Sequence, residues 1–444
     1  MVLPGRALVI GFGRTGKAVA RVLAERGVRV RVADPQDAAQ LGIDPAEWPE
    51  VDFRLGDESP ALLDGVDLVV PSPGVPRGAP LLVEAVRRGV AVRAEVEVAF
   101  RLLDCPVVAI TGTNGKSTTT TLVGHALQRA GRRSFTGGNL GRPLVLAVAE
   151  QPEIAVAEVS SFQLEWTDSF RPRVACLLNV TPDHLDRHAD FAEYRDLKAR
   201  LFAAQGAGDW AVLNRDDPES AGLAPRLAAQ VLTVGTAPVD VGAMLDGGTV
   251  VLRLPGAAEE RYPLARTRLA GRHNVDNILA AVTVARLAGA PPPAVQDAVD
   301  QVEPLPHRLA LVAERDGVRW YDDSKATNVG ATVKSLESFD EPVVLLAGGV
   351  DKGGDYAPLA RAARGRVRRV LVFGVGRERL ASALEADEVA VERVADLPTA
   401  VATAAATARP GDVVLLAPAC ASFDMFTDYA ARGRAFRAAV EALR

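Results

Sequence analysis

The chain has 444 residues, a formal net charge of −5 at pH 7 and 48% hydrophobic residues. These values are typical of a globular protein with two or three domains, because one hydrophobic core does not extend over so many residues. The acidic balance argues against nucleic acid as the main partner, and no apolar stretch is long enough to span a membrane. Three widely spaced cysteines and the lack of a signal-peptide layout predict a cytoplasmic protein.

The first block of the chain, residues 1–95, opens with a strand, a glycine-rich turn and a helix. Gly11, Gly13 and Gly16 follow the strand in the G-x-G-x-x-G spacing, which places a diphosphate at a helix N-terminus. The next strand ends at Asp34, where an NAD-binding protein would hold a ribose. The block therefore predicts a Rossmann-like domain, for which NAD is one ligand that fits.

The second block, residues 96–303, carries a phosphate-binding loop. Gly112, Gly115, Lys116 and Ser117 lie between a buried strand and a helix. Backbone N–H groups of such a loop point at phosphates, the lysine reaches the β- and γ-phosphates, and the hydroxyl ligates Mg²⁺. Two residues separate the glycines, where the common P-loop has four. The loop predicts binding of a nucleoside triphosphate.

Lysine is rare in this chain. Only six of the 51 basic residues are lysines, and the other 45 are arginines. We therefore expect these lysines to do work that arginine cannot do, such as presenting a compact ammonium or an amine that loses its proton. Lys116 fits that expectation, whereas Lys334 is interpreted as a surface lysine.

Two further strands of the second block end in polar side chains. Glu158 follows one strand and His184 follows the next. Because carboxyl ends of parallel strands share one rim, both side chains are expected to face the phosphates as ligands of a hard metal ion. His188 is interpreted as structural. The prolines at 291–293 predict a short, stiff connection.

The third block, residues 304–444, repeats the alternation of strands and helices. Polar clusters again follow the strands, and they contain Lys325 and Lys352, two of the six lysines. The whole chain is thus predicted to be α/β, with three domains (1–95, 96–303 and 304–444) that each hold a mostly parallel sheet flanked by helices.

Taken together, these motifs resemble the Mur ligases over the full length of the chain. The resemblance rests on five segments, at 112–117, 158–165, 179–184, 307–308 and 323–328. It implies a Rossmann-like N-terminal domain, a P-loop central domain and a Rossmann-like C-terminal domain. It also implies ATP-dependent addition of D-glutamate to UDP-N-acetylmuramoyl-L-alanine through an acyl phosphate, by a cytoplasmic monomer that binds small molecules and neither nucleic acid nor membrane.

The resemblance further implies roles for individual residues. ATP would be bound by Gly112, Thr113, Asn114, Gly115, Lys116, Ser117, Thr118, Asn277, Arg308 and Asp323. The UDP substrate would be bound by Gly13, Arg14, Thr15, Asp34, Ser72, Asn139 and His184. D-Glutamate would be bound by Thr327, Lys352, Ser422 and Tyr429. Two Mg²⁺ ions would be held by Ser117, Glu158, His184 and Lys198 as its carbamate. The catalytic residues would be Lys116, His184 and Lys198.

The chain departs from the family's pattern at two places. Pro35 and Gln36 follow Asp34 where the family often has Thr-Arg, and Tyr429 stands where it usually has Phe. Three alternatives stay open: an NAD-dependent dehydrogenase, a nucleotide-binding switch, and a related ligase with another amino acid. The dehydrogenase and the switch both leave the lysines of the third block without a function.

Overall fold

The computed structural model describes residues 3–185, 187–269 and 271–443. Its contacts form two compact units. One consists of the chain up to Val180, Arg195–Leu264 and Asn277–Val299, and the other consists of Thr181–Tyr194, Ala265–Asp276 and the chain from Asp300 onward. The first unit carries two β-sheets and the second unit carries one.

The first sheet has five parallel strands, and its central strands β1 and β4 contain continuous runs of buried apolar residues, as is usual in parallel sheets. In order across the sheet they are β3, β2, β1, β4 and β5. The strands are β1 (Arg6–Ile10), β2 (Arg29–Asp34), β3 (Val51–Leu55), β4 (Leu68–Pro71) and β5 (Ala91–Val92). The helices are α1 (Arg14–Ala24), α2 (Pro80–Arg87) and α3 (Glu95–Leu102).

The second sheet has nine strands in the order β14-β13-β12-β11-β10-β9-β6-β8-β7. Only the β12–β13 and β13–β14 pairs are antiparallel. The strands are β6 (Val107–Thr111), β7 (Ser134–Gly138), β8 (Ile154–Glu158), β9 (Val174–Leu177), β10 (Trp210–Asn214), β11 (Gln230–Gly235), β12 (Gly242–Asp246), β13 (Thr249–Arg253) and β14 (Glu260–Pro263). The helices are α4 (Lys116–Arg129), α5 (Ala147–Glu150), α6 (Ser161–Leu164), α7 (Phe191–Ala199), α8 (Pro218–Ala221), α9 (Arg272–Leu287) and α10 (Pro292–Gln301).

The third sheet has six strands in the order β15-β16-β20-β17-β18-β19, and only β15 runs antiparallel to its neighbour. The strands are β15 (Ala310–Arg315), β16 (Val318–Asp322), β17 (Val343–Gly348), β18 (Val367–Phe373), β19 (Val391–Arg393) and β20 (Val413–Leu416). The helices are α11 (Val329–Leu336), α12 (Ala357–Ala363), α13 (Arg377–Glu385), α14 (Leu397–Thr407) and α15 (Tyr429–Glu441). Apolar cores cover both faces of this sheet.

The predicted fold class is confirmed, because each predicted block contains its own mostly parallel sheet with helices. The exact domain boundaries remain a prediction. The prediction of a stiff connection at residues 291–293 is wrong, because Pro292 is the first residue of α10. A proline fits the first turn of a helix, where its missing N–H group would have no partner in any case. No helix in the described ranges has the length and apolar character needed to cross a membrane.

Candidate functional site

The phosphate loop joins β6 to α4 in the first unit. Gly112 and Gly115 have φ values of +153° and +86°, which side-chain-bearing residues rarely adopt. A Cβ atom on Gly115 would lie 2.0 Å from Oδ1 of Asn277, so this close approach requires glycine. The Lys116 ammonium donates 2.8 Å hydrogen bonds to the carbonyl oxygens of Gly112 and Thr113. These glycines and the N-terminus of α4 therefore form a cradle of the kind that binds phosphate, in which Gly115 packs closely against the side chain of Asn277.

Asn179, which follows β9, braces this loop. Its Oδ1 atom accepts from the backbone N–H of Asn114 at 2.9 Å, and its Nδ2 atom donates to the carbonyl of the same residue at 3.1 Å. Its own carbonyl accepts from the N–H of Thr113 at 2.9 Å. Asn179 was not among the predicted site residues, although its position just after a strand next to β6 is the signal that could have identified it.

Glu158 lies at the end of β8 and is only 2% exposed. Its Oε1 atom accepts a 2.7 Å hydrogen bond from Nδ2 of Asn139, a residue that the resemblance assigned to the UDP substrate. Ser117, a second predicted metal ligand, lies in the first turn of α4 and is as buried as Glu158. A hydroxyl and a carboxylate are ligands that suit Mg²⁺. No three His, Cys, Asp or Glu side chains in the described part of the chain gather closely enough to hold a metal ion by themselves.

Lys198, in the last turn of α7, is 1% exposed. Its Nζ atom donates a 2.8 Å hydrogen bond to the carbonyl oxygen of Gly112. Two of the six lysines, Lys116 and Lys198, thus bind the same backbone carbonyl of the phosphate loop. This burial excludes a position of Lys198 at the protein surface, whereas the carbamate remains a prediction.

The glycine-rich turn after β1 has the geometry that its sequence predicts. Gly11 has a φ of +86°, and a Cβ atom on Gly16 would lie 2.0 Å from the Gly11 carbonyl oxygen. The Ser72 hydroxyl donates a 2.8 Å hydrogen bond to that oxygen, so the turns after β1 and β4 are joined. Arg14 donates from its side chain to the carbonyl of Gly141, which follows β7. Two of the residues predicted to bind the UDP substrate, Arg14 and Ser72, therefore make contacts that join neighbouring loops.

Asp34, at the end of β2, is 7% exposed and has a structural task. Its Oδ2 atom accepts from the N–H of Phe12 at 2.7 Å, and its Oδ1 atom accepts from the N–H of Gln36 at 2.9 Å. One carboxylate oxygen therefore fixes the backbone of the glycine-rich turn, and the other fixes the segment that follows β2. Contact of Asp34 with a bound nucleotide remains a prediction.

In the second unit, Asp323 follows β16 and lies next to Arg308. Burial raises the pKa of Asp323 to about 6, although a hydrogen bond from Ser335 and the charge of Arg308 act against that rise. His184, on the segment after β9, has a left-handed backbone with φ of +55°. Its N–H donates to Oδ1 of Asp183 at 3.0 Å.

Asp183 and Lys352 form an ion pair in the second unit. The Lys352 Nζ atom lies 3.2 Å from Oδ1 of Asp183 and 3.5 Å from the hydroxyl of Thr327. Nδ2 of Asn328 donates to Oδ2 of Asp183 at 2.9 Å. Although burial acts to raise it, the charges of Lys352 and His184 hold the pKa of Asp183 below its usual value. Two predicted D-glutamate ligands, Lys352 and Thr327, are thereby brought together.

Tyr429 is the first residue of α15 and contacts another lysine. The Lys325 Nζ atom lies 4.7 Å from the centre of the Tyr429 ring and 3.2 Å from its hydroxyl. The Tyr429 carbonyl also accepts a 2.8 Å hydrogen bond from the Ser324 hydroxyl. Ser422 is buried on the loop after β20. The phenol that replaces the family's phenylalanine therefore binds a cation directly.

Arg432 joins the loops that carry these residues. It is fully buried, and burial lowers the pKa of its guanidinium to about 10. Its side chain donates to the carbonyls of Ser324 at 2.8 Å, Cys420 at 3.2 Å and Gly348 at 3.4 Å, which follow or end three different strands. Arg432 was not among the predicted site residues, because an arginine on an amphipathic helix is usually at the surface.

His188, interpreted as structural, is buried, and Lys334, interpreted as a surface lysine, is partly exposed. His188 is 3% exposed and its ring lies 5.3 Å from that of Tyr194. Lys334 is partly exposed on α11, with its Nζ atom 3.8 Å from a carboxylate oxygen of Asp276.

Three family profiles of known proteins match successive parts of the chain. Family profiles match residues 5–94 (Mur ligase MurD-like, N-terminal domain), 110–285 (Mur ligase middle domain) and 307–420 (Mur ligase, glutamate ligase domain). The chain is 48% identical over 442 residues to the UDP-N-acetylmuramoylalanine–D-glutamate ligase of Geobacter metallireducens, covering 98% of this chain and 97% of the relative. It is also 48% identical over 447 residues to the protein of the same name from Anaeromyxobacter dehalogenans, covering 97% of this chain and 96% of the relative.

Solved structures show the same fold at lower identity. The MurC ligase of Thermotoga maritima superposes with a TM-score of 0.61 at 19% identity, covering 98% of this chain and 99% of that one. The MurF ligase of the same organism, solved in complex with ADP, gives a TM-score of 0.61 at 18% identity, covering 99% and 96% of the two chains. The match extends over all three sheets.

Proposed function

The chain belongs to the Mur ligase family, and on that premise we propose that it joins D-glutamate to UDP-N-acetylmuramoyl-L-alanine at the expense of ATP. The observation that carries the proposal is the phosphate cradle of Gly112 and Gly115 with two lysines bound to it, in a chain 48% identical to ligases of that name. The product would be a precursor of peptidoglycan.

The proposed reaction has two steps. The alanyl carboxylate attacks the γ-phosphorus of ATP, so that an acyl phosphate forms and ADP leaves. The amine of D-glutamate then attacks the acyl carbon, an amide bond forms, a proton is released and inorganic phosphate leaves. Both steps bring negative charges close together, and fixed cations and backbone N–H groups lower the free energy that this requires. Lys116 is proposed to supply the cation next to the β- and γ-phosphates.

The other nucleotide contacts are proposed residue by residue. Asn277, which touches the cradle, would bind adenine, while Arg308 and Asp323 of the third domain would bind phosphate and ribose. The remaining ATP-binding residues would be Thr113, Asn114, Ser117 and Thr118.

A divalent metal fits the buried oxygen donors of Ser117 and Glu158, and Mg²⁺ bound there would neutralise phosphate charge. His184 would complete the ligand set, and Lys198 as its carbamate would supply a further pair of oxygens for a second Mg²⁺. Burial of the Lys198 amine supports this proposal, because desolvation favours the neutral form that reacts with CO₂. Arginine cannot form a carbamate.

The first domain is proposed to bind the UDP part of the substrate, with Gly13, Arg14, Thr15 and Ser72 around the diphosphate. Asn139 and His184 would lie near the sugar. The protein would act as a cytoplasmic monomer. Saturable binding of NAD, without binding of UDP-N-acetylmuramoyl-L-alanine, would reject this assignment and favour the dehydrogenase.

The proposal is tested by phosphate release. Purified protein is incubated with ATP, Mg²⁺, UDP-N-acetylmuramoyl-L-alanine and one amino acid, chosen from D-glutamate, L-glutamate, L-lysine and meso-diaminopimelate. We expect release with D-glutamate at a rate at least tenfold above the others. Release with another amino acid alone would make the protein a related ligase, and release with none would favour a nucleotide switch.

A further inference from the structure

The carboxylate of Asp183 is held next to the cation that is proposed to bind the amino-acid substrate. Its side chain is 7% exposed, and its oxygens accept from Lys352 at 3.2 Å and Asn328 at 2.9 Å. Lys352 is 17% exposed by side chain and also bonds Thr327. An anion and a cation therefore lie side by side, each fixed by a neutral neighbour.

An α-amino acid carries a carboxylate and an ammonium group on the same carbon. A site that binds it as this zwitterion needs a cation and an anion within a few ångströms of each other, because each charge must exchange water for a partner. Lys352 with Thr327 offers the donors that a carboxylate requires. Asp183 offers the acceptor that an ammonium requires, in contact with the same lysine.

The other acids on the loops around this pair have structural partners. Asp351 bonds the side chains of Arg379 and Tyr356. Asp322 is fully buried and bonds Nδ1 of His307 at 2.6 Å. Asp183 differs from both, since its cationic partner is the lysine proposed to bind substrate.

We propose that Asp183 binds the α-ammonium of the incoming amino acid while Lys352 binds its α-carboxylate. The inference rests on the proposed function and on the binding of D-glutamate at Lys352 that the resemblance to the Mur ligases implies, and it adds the residue that recognises the amine. Asp183 is thus a specificity-determining residue. It favours binding of an amino acid over a dicarboxylic acid that has the same carboxylates and no amine. Glutarate, which is glutamate without its amino group, is the probe that separates the two contributions.

The test compares D-glutamate with glutarate in the wild type and in Asp183→Asn. Asparagine keeps the size of the side chain and removes its charge. The KM for D-glutamate should rise about 10- to 100-fold, the usual worth of a hydrogen bond to a charged group. The inhibition constant of glutarate should change less than about threefold, because glutarate has no ammonium to lose. Asp340→Asn, which removes an exposed charge from the same unit, should change neither value.

Two results would overturn the inference. Equal weakening of D-glutamate and glutarate would mean that Asp183 only positions Lys352, and tighter binding of both would mean that Asp183 blocks the site until displaced. If Asp183→Asn does not fold, the wild type still decides: it should bind D-glutamate at least tenfold more tightly than glutarate, and equal affinity refutes the inference. Absence of any turnover of D-glutamate by the wild type would instead reject the proposed function.

Discussion

Nδ2 of Asn139 donates a 2.7 Å hydrogen bond to Oε1 of Glu158, so a residue proposed to contact the UDP substrate orients a residue proposed to bind Mg²⁺. Asn139 directly follows β7 and Glu158 ends the neighbouring strand β8, and the register of these strands brings Gly138 opposite Glu158. Outer contacts of this kind fix the direction in which a carboxylate presents its other oxygen. The proposed substrate and metal sites are thereby linked by one hydrogen bond.

Asn139→Ala should therefore affect metal use as well as substrate binding. We expect the Mg²⁺ concentration for half-maximal rate to rise about tenfold, because a carboxylate loses a hydrogen bond. The measurement is phosphate release titrated with Mg²⁺ at saturating substrates. Ser134→Ala, at the other end of β7, is the control and should leave the value unchanged. An altered KM for the UDP substrate with unaltered Mg²⁺ dependence would contradict the link.

Gly115→Ala should abolish most ATP turnover. The new Cβ atom would lie 2.0 Å from Oδ1 of Asn277, and the residue would also be forced to keep a φ of +86°. Gly131→Ala is a matched control, because Gly131 has a φ of +73° with no atom within 4 Å of the added Cβ. Both variants should lose about 1 kcal/mol of unfolding free energy from backbone strain, and only Gly115→Ala should lose turnover. Equal activities would show that the cradle tolerates a side chain.

Lys198→Arg should abolish most activity although it keeps a positive charge. Arginine forms no carbamate, and its larger head does not fit a site where the lysine is 1% exposed. Lys198→Ala should be inactive and partly rescued by formate or acetate, which supply the missing carboxylate oxygens. Full activity of the arginine variant, together with an unmodified amine in a high-resolution structure with Mg²⁺, would refute the carbamate.

Lys352→Ala should raise the KM for D-glutamate about 10- to 100-fold and change the KM for ATP little, because the lysine is proposed to bind a substrate carboxylate. The control is Lys334→Ala, which removes a partly exposed lysine of the same unit. Steady-state kinetics with each substrate varied in turn give both constants. A similar rise in both KM values would place Lys352 outside the amino-acid site.

Glu95 predicts a pH dependence of stability. This first residue of α3 is 1% exposed and accepts a 2.6 Å hydrogen bond from the N–H of Val145, and its burial raises its pKa from 4.5 to about 7. A folded-state pKa above the unfolded value means that the folded protein binds the proton more tightly. Protonated Glu95 therefore contributes about 3 kcal/mol to the free energy of unfolding. This contribution is fully present below pH 4.5 and is lost as the pH rises through 7.

Glu95→Gln, which stays neutral, should remove this dependence. Urea unfolding at several pH values between 5 and 8 measures it, as the difference in unfolding free energy between variant and wild type. Glu97→Gln is the control, because hydrogen bonds lower the pKa of Glu97 despite its burial and its charge state stays constant over that range. A difference for Glu95→Gln that does not vary with pH would contradict the prediction.

The sequence predicts the strands, the glycine turns and the polar residues at strand ends because each depends on local chemistry. Gly11, Gly112 and Gly115 adopt the positive φ values that their spacing indicates. The sequence pattern places Lys116 and Ser117 ahead of the helix, whereas α4 begins at Lys116, because the loop's lysine already belongs to the first helical turn. Such boundaries depend on capping geometry, which a sequence pattern resolves poorly.

The contacts that the sequence did not predict all join residues far apart in the chain. The Asn179 brace on Asn114 spans 65 positions, the Asp183–Lys352 pair spans 169, and the bond from Arg432 to Ser324 spans 108. None of these partners is set by helical or strand periodicity. They depend on which strands become neighbours in the sheet, and sheet order is a property of the fold as a whole.

Because of Arg432, the proposed amino-acid site depends on helix α15 staying folded. Because its guanidinium is the shared donor to the carbonyls of Ser324, Gly348 and Cys420, fraying or proteolytic loss of α15 would release three loops at once. Heat or a protease acting on that helix would then inactivate the enzyme before its sheets unfold. Loss of D-glutamate turnover would precede loss of the far-ultraviolet circular dichroism signal, and bound amino acid would slow both by holding the loops from the other side.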